Sequence, residues 1–181
     1  VVSRREFLTA FTQKEKKGFL PLAPYNREHS LFYKNCEQCV EELKAPCILA
    51  CDEVYNKENG GILRFCENCI VVDFGANGCL LCGECANACP NGVLDKKLAQ
   101  EQNPNWNFFL KISEIHCLAY QKILCNTCKD VCYSILGREN AIVFNGLFYP
   151  EIKESCIGCA ECVSKCPTQA ILLFEKEKVE F

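Results

Sequence analysis

The sequence predicts an α+β fold made of two tandem copies of one small module, with short helices and β-hairpins arranged around groups of cysteines. Three observations predict it. Cysteine supplies 18 of 181 residues, a density that marks a disulfide scaffold or a metal-cluster protein. The cysteines form groups whose positions repeat: Cys36 to Cys117 and Cys51 to Cys132 are each 81 apart, and Cys79 to Cys156 and Cys89 to Cys166 are each 77 apart. Such fixed offsets mean internal duplication. Finally, a pair of short strands is expected between the cysteine groups of each half, 62–65 with 70–74 and 141–144 with 147–149, the second pair joined by the hairpin signal Asn145-Gly146.

Residues 1–30 read as a separate basic leader. They begin S-R-R-E-F-L at Ser3, like a twin-arginine export signal, but Lys14, Glu15, Lys16 and Lys17 fall where its apolar core should follow. The expectation is therefore a cytoplasmic chain, in which abundant cysteine ligates metal before it forms disulfides. Phe7, Leu8 and Phe11 suit a short amphipathic helix, with Pro21 and Pro24 ending it. Residues 1–20 hold five basic and two acidic side chains, a net +3, which leaves −6 for the rest of a chain whose formal charge is −3. That balance excludes a nucleic-acid footprint and favours a protein partner. No apolar run approaches the roughly 18–20 residues of a membrane helix, which leaves only peripheral membrane contact through the leader. The polar stretch ending at Asn103-Pro104-Asn105 separates a first module, 31–105, from a second, 106–181.

The chemistry lies in the spacing. Cys79-x2-Cys82-x2-Cys85-x3-Cys89-Pro90 and Cys156-x2-Cys159-x2-Cys162-x3-Cys166-Pro167 each match the bacterial 4Fe-4S run, which gives three thiolates to one cluster and its fourth to the neighbouring one. Two irregular groups precede them, Cys36-x2-Cys39-x7-Cys47-x3-Cys51 and Cys117-x7-Cys125-x2-Cys128-x3-Cys132. By the crossing rule, Cys79, Cys82 and Cys85 bind one cluster with Cys51, and Cys36, Cys39 and Cys47 bind another with Cys89. In the second half Cys156, Cys159 and Cys162 go with Cys132, and Cys117, Cys125 and Cys128 with Cys166. The expected architecture is a duplicated dicluster ferredoxin-like chain with four 4Fe-4S clusters. Disulfides and zinc are the alternatives, but neither produces two complete C-x2-C-x2-C-x3-C-P runs. The seven-residue gap of the irregular groups also suits zinc, and position within the duplication argues for clusters.

Cys66 and Cys69 form an extra C-x2-C pair at the first hairpin, without counterpart in the second half. They are read outside the cluster sets, while alternative ligands, a zinc handle and a redox pair stay open. His29 and His116 are read as ordinary histidines, and Trp106 as packing. Halves of about 75 residues bury little core, so cluster ligation should supply folding free energy.

The S-R-R leader, the segment C-L-A-Y-Q at Cys117 to Gln121 followed by Cys125, Cys128 and Cys132, and the closing run Cys156 to Pro167 together resemble the NapF family of ferredoxin-type proteins. The C-L-A-Y-Q group is the most specific, because generic ferredoxins lack it. The x7 gap between Cys39 and Cys47, and the extra Cys66 and Cys69, depart from the usual family pattern. The resemblance implies an iron-sulfur accessory protein of periplasmic nitrate reductase systems, meeting the molybdenum-containing catalytic subunit in the cytoplasm before export and helping it acquire or reduce its own cluster. The competing expectation is a general electron carrier or electron-input subunit of a respiratory complex. Neither calls for a catalytic acid, base or nucleophile, and no G-x-G-x-x-G or Walker loop is present.

Overall fold

The computed structural model describes residues 19–55, 60–137 and 140–176. The twin-arginine-like motif and the amphipathic segment at Phe7, Leu8 and Phe11 lie outside them. The elements are α1 (Ser30–Leu43), α2 (Pro46–Val54), β1 (Leu63–Cys66), β2 (Cys69–Val72), α3 (Glu84–Asn87), α4 (Lys96–Gln100), β3 (Phe108–Ile112), α5 (Thr127–Leu136), β4 (Ile142–Asn145), β5 (Phe148–Ile152), α6 (Glu161–Ser164) and β6 (Ile171–Glu175). They form three two-stranded antiparallel sheets, β1-β2, β3-β6 and β4-β5. This mixture of brief helices and small sheets is the expected α+β class.

Both expected hairpins are present, and their turns differ. Between Cys66 and Cys69, paired across β1-β2, Glu67 and Asn68 have φ of 48° and 63°. Two left-handed residues in succession are what a type I′ connection demands. In β4-β5, Asn145 pairs with Phe148, so Gly146 and Leu147 occupy the turn, one residue later than the Asn-Gly signal implies. Gly146 supplies the positive φ of 74°, and Tyr149, at 62°, takes up the register shift.

Helix α1, 14 residues long, is longer than the brief helices expected near the cysteines. It ends at Lys44 and Ala45, both left-handed with φ of 56° and 49°. Each costs about 1–2 kcal/mol outside glycine. Pro46 then starts α2 at a position where its missing N–H is no loss. The seven residues between Cys39 and Cys47 are thus a helix end, a sharp reversal and a helix start.

Packing crosses the boundary drawn at 30/31. The Ala23 amide donates to the Ile70 carbonyl (2.9 Å) and the Val72 amide to the Pro21 carbonyl (2.8 Å), which lays residues 21–23 beside β2. Asn26 bridges Leu94 in the place that Ile112 takes beside Ile171 in β3-β6. Its fully buried side chain donates to the Ala23 carbonyl at 2.8 Å. The segment also reaches forward, since the Leu22 amide donates to Asn107 Oδ1 (2.9 Å) and Asn107 Nδ2 to the Leu20 carbonyl (2.8 Å).

One continuous core runs through both halves. Its aromatic joint is Phe74 of the first half against Trp106 and Phe108 of the second, with ring centroids 6.0 and 5.8 Å apart, and Trp106 4.9 Å from Phe108. Trp106 is buried, as expected of a packing residue, and its indole N–H donates to the Ile157 carbonyl at 2.9 Å. Among the described residues no helix is long and apolar enough to cross a membrane.

Candidate metal centres

Four small cavities are each walled by four cysteines. Cys36, Cys39, Cys47 and Cys89 line the first, with Phe32, Ile70 and Pro90. Cys51, Cys79, Cys82 and Cys85 line the second, with Tyr25 and Tyr55. The third holds Cys132, Cys156, Cys159 and Cys162, and the fourth Cys117, Cys125, Cys128 and Cys166 beside Pro167. Each quartet takes three cysteines from one group and one from the other group of its half.

Helices place half of these sixteen sulfurs. Cys36 and Cys39 stand three residues apart on α1, and α2 carries Cys47 and Cys51 on successive turns facing two different cavities. Cys128 and Cys132 repeat that arrangement on α5. The regular runs use a loop instead. Leu81 and Gly83 have φ of 55° and 79°, and the residues 77 positions later, Gly158 and Ala160, have 70° and 59°. Alternating left-handed residues turn successive amides inward into a nest, an arrangement found around many iron-sulfur sites. The Leu81 amide lies 3.4 Å from Cys79 Sγ, and the Gly158 amide bonds Cys156 in the same way. After each Cys-Pro the chain returns amides to the last sulfur, Leu94 to Cys89 at 3.5 Å and Ala170 to Cys166 at 3.2 Å.

The electrostatics of these cavities oppose free thiolates. Burial first, and neighbouring cysteine charge second, push Cys36 and Cys79 up to about 12, with Cys79 partly relieved by the Leu81 amide. The same causes carry Cys47 and Cys128 to about 12 and Cys159 to about 11. Cys85 and Cys162 rise as well, burial again leading. Four sulfurs crowded into an apolar wall cannot all carry charge unless cations sit among them. Iron removes that penalty, and ligation expels the thiol protons.

The quartets therefore suit a cubane, which takes one thiolate per iron. They do not converge as a single ion requires. On zinc, bonds of about 2.3 Å hold sulfurs about 3.8 Å apart, and among the described residues no group of three or more Cys, His, Asp or Glu is placed to hold one metal ion.

The quartets also adjoin one another. A thiolate at Cys47 opposes ionisation of Cys85, one at Cys159 that of Cys79, and one at Cys128 that of Cys162. At the middle junction the Cys79 amide donates to the Cys159 carbonyl at 2.7 Å, and the Gly78 amide donates to the Glu161 carboxylate. A Cβ at Gly78 would sit 2.6 Å from the Cys159 carbonyl oxygen and closer still to the Glu161 backbone, so only glycine fits. Gly61 is equally constrained, since a Cβ would meet Cys51 Sγ at 2.7 Å.

Cys66 and Cys69 line none of the four cavities. Cys69 is buried at the end of the hairpin, hydrogen-bonded with the Tyr33 hydroxyl. His116 Nδ1 lies 2.9 Å from the Ser113 hydroxyl, and the residue lines none of the four cavities. Sequence reasoning missed Tyr25 and Tyr55 beside the second quartet, because the signal it followed was cysteine spacing and Tyr25 stood in the leader.

Residues 149–172 match the 4Fe-4S binding domain family, a span that contains the whole run from Cys156 to Cys166. The chain is 31% identical over 174 residues to the ferredoxin-type protein NapF of Escherichia coli K12, covering 93% of this chain and 92% of that one. It is 29% identical over 196 residues to NapF of Haemophilus influenzae, covering 98% and 96%. The ferredoxin-type protein NapG of Haemophilus influenzae is 29% identical over 101 residues, which cover 49% of this chain and 35% of that one. No solved structure matches. With likeness running nearly end to end, the chain belongs to the NapF family of ferredoxin-type iron-sulfur proteins.

Proposed function

We propose that the chain carries four 4Fe-4S clusters and passes single electrons along them, as an accessory protein to the periplasmic nitrate reductase catalytic subunit in the cytoplasm. The observation that carries this reading is the match of each cavity to one crossed quartet. Two modules, 31–105 and 106–181, hold two clusters each as tandem copies, and residues 1–30 act as a basic leader. The ligands are the sixteen cysteines of the four quartets; Cys66 and Cys69 stand outside them.

When bound, the clusters supply one-electron redox chemistry. The protein supplies everything that surrounds it. Apolar walls limit water at the sulfurs, although Cys82 stays exposed, nested amides stabilise their negative charge, and the helices α1, α2 and α5 fix the separation of those they carry. Contacts between quartets suggest a single series: the Cys36 set, the Cys51 set, the Cys132 set, then the Cys117 set. An electron entering at either end would leave at the other.

The molybdenum-containing subunit before export is the proposed partner, with the basic leader docking through a salt-sensitive contact. Its role would be to help that subunit acquire or reduce its own cluster.

Purification without oxygen, with iron and sulfide counted and EPR spectra taken after dithionite, tests the cofactor content. About 16 irons per chain, four cubanes of four, are expected. Iron-poor, colourless and fully folded protein overturns the reading. Capture of partners from anaerobic lysate tests the role. Recovery of the molybdoenzyme precursor supports maturation, whereas recovery of respiratory subunits alone makes the chain a general electron carrier.

A further inference from the structure

Tyr25 is fully buried, and its hydroxyl finds no hydrogen-bond partner among the described residues. Buried hydroxyls are nearly always paired, so an orphan calls for an explanation. This one borders the cavity walled by Cys51, Cys79, Cys82 and Cys85. Its ionisation is opposed first by burial and then by charge on Cys79, Cys85 and Cys82, which sets the phenol among those sulfurs.

The chain holds the residue there from both sides. The Tyr25 amide donates to the Pro104 carbonyl and its carbonyl accepts from the Asp95 amide, each at 2.7 Å, while φ at Tyr25 is 62°. A left-handed conformation at a bulky residue is uncommon and needs surrounding structure to impose it. The second phenol of the cavity, Tyr55, is already committed, since it donates to the Gly78 carbonyl and accepts from the Leu80 amide at 3.1 Å. The corresponding cavity of the second half has no hydroxyl in its wall.

We propose that the Tyr25 hydroxyl donates a hydrogen bond to a sulfur of the cluster held by Cys51, Cys79, Cys82 and Cys85, and so makes that cluster the easier to reduce of the two at the centre of the chain. This rests on the four-cluster reading. The sign follows from charge: reduction adds negative charge to the sulfurs, so a donor favours the reduced form and raises the potential. Tyr25 is thus a positioning and tuning residue, with no bond to iron.

The test is Tyr25→Phe in the full-length protein loaded without oxygen. The substitution keeps the ring and removes a hydroxyl that bonds nothing else among the described residues. An EPR-monitored redox titration should show one of four clusters harder to reduce by about tenfold in its equilibrium constant, or about 59 mV for one electron, with the other three unmoved and iron still about 16 per chain. Site-specific fluorotyrosine at position 25, a stronger donor, should move the same cluster in the opposite direction. Should Y25F lose iron, the fluorotyrosine protein decides, and an unmoved potential there overturns the proposal. Four unchanged potentials in a fully loaded Y25F overturn it too, while leaving the cluster reading intact. Wild-type protein without clusters instead removes the reading beneath it.

Discussion

The backbone amide of Cys79 donates a 2.7 Å hydrogen bond to the carbonyl of Cys159, joining a ligand loop of one half directly to its counterpart in the other. Lys165 reinforces the contact by donating to the Ala76 carbonyl at 3.0 Å while pairing with Glu161 at 3.4 Å. Two cysteine quartets that are distant in sequence are thereby brought next to each other, and the least tolerant point of the contact is Gly78.

Gly78→Ala should therefore separate the halves. The new methyl meets backbone instead of a yielding side chain, and such overpacking costs about 1–3 kcal/mol. The expected result is near-complete iron content with weaker magnetic coupling between clusters in the fully reduced EPR spectrum, and a lower thermal midpoint. Unchanged coupling would show that the two loops are not the electronic junction.

Cys89 stands in the run of the second quartet yet lines the cavity of the first. Cys89→Ser should accordingly abolish the same EPR signal as Cys36→Ser, leaving about 12 irons of about 16. Cys82→Ser should remove a different signal. A C89S spectrum that matches C82S would sink the crossed assignment.

The double substitution Cys66→Ser, Cys69→Ser should leave iron content as it was. Neither sulfur lines a quartet's cavity, although Cys69 stands near enough to Cys36 for its charge to oppose ionisation there, and the hairpin turn is made by Glu67 and Asn68. Loss of about four irons, one cubane, would assign the pair to a cluster.

Trp106→Ala removes the ring that packs on both Phe74 and Phe108 and the N–H that meets Ile157. Truncating a buried tryptophan costs about 3–5 kcal/mol, so anaerobic unfolding should shift to clearly lower temperature and iron release should quicken. Wild-type stability in W106A would mean that the aromatic joint carries no load.

Much of the site was legible because ligand chemistry leaves its record in spacing. Sixteen cysteines and two Cys-Pro punctuations were enough to name four quartets, and each was found around one cavity. The hairpins were legible too, since β-branched and aromatic runs flanked turn residues, although the second turn slid by one residue because Gly146 alone provides its positive φ. Other features had no local signal. Pairing of residues 21–23 with β2 depends on a partner strand nearly fifty positions away, so the proline-marked stretch gave no local sign of it. The length of α1 was hidden because the cysteine groups suggested only brief helices. The Cys79 to Cys159 contact is wholly tertiary, and the one hint of it was a glycine.

The crossed quartets also set a timetable for biogenesis. Cys89 closes the cavity begun by Cys36, and Cys166 closes the one begun by Cys117, so each half remains an open, three-thiol receptacle until its own Cys-Pro has emerged from the ribosome. Residue Gly78, meanwhile, must wait for Glu161 before its surface is covered. A nascent chain stalled near its midpoint would expose a finished first pair of cysteine quartets along an unprotected flank, which the loop at Cys159 to Glu161 later covers.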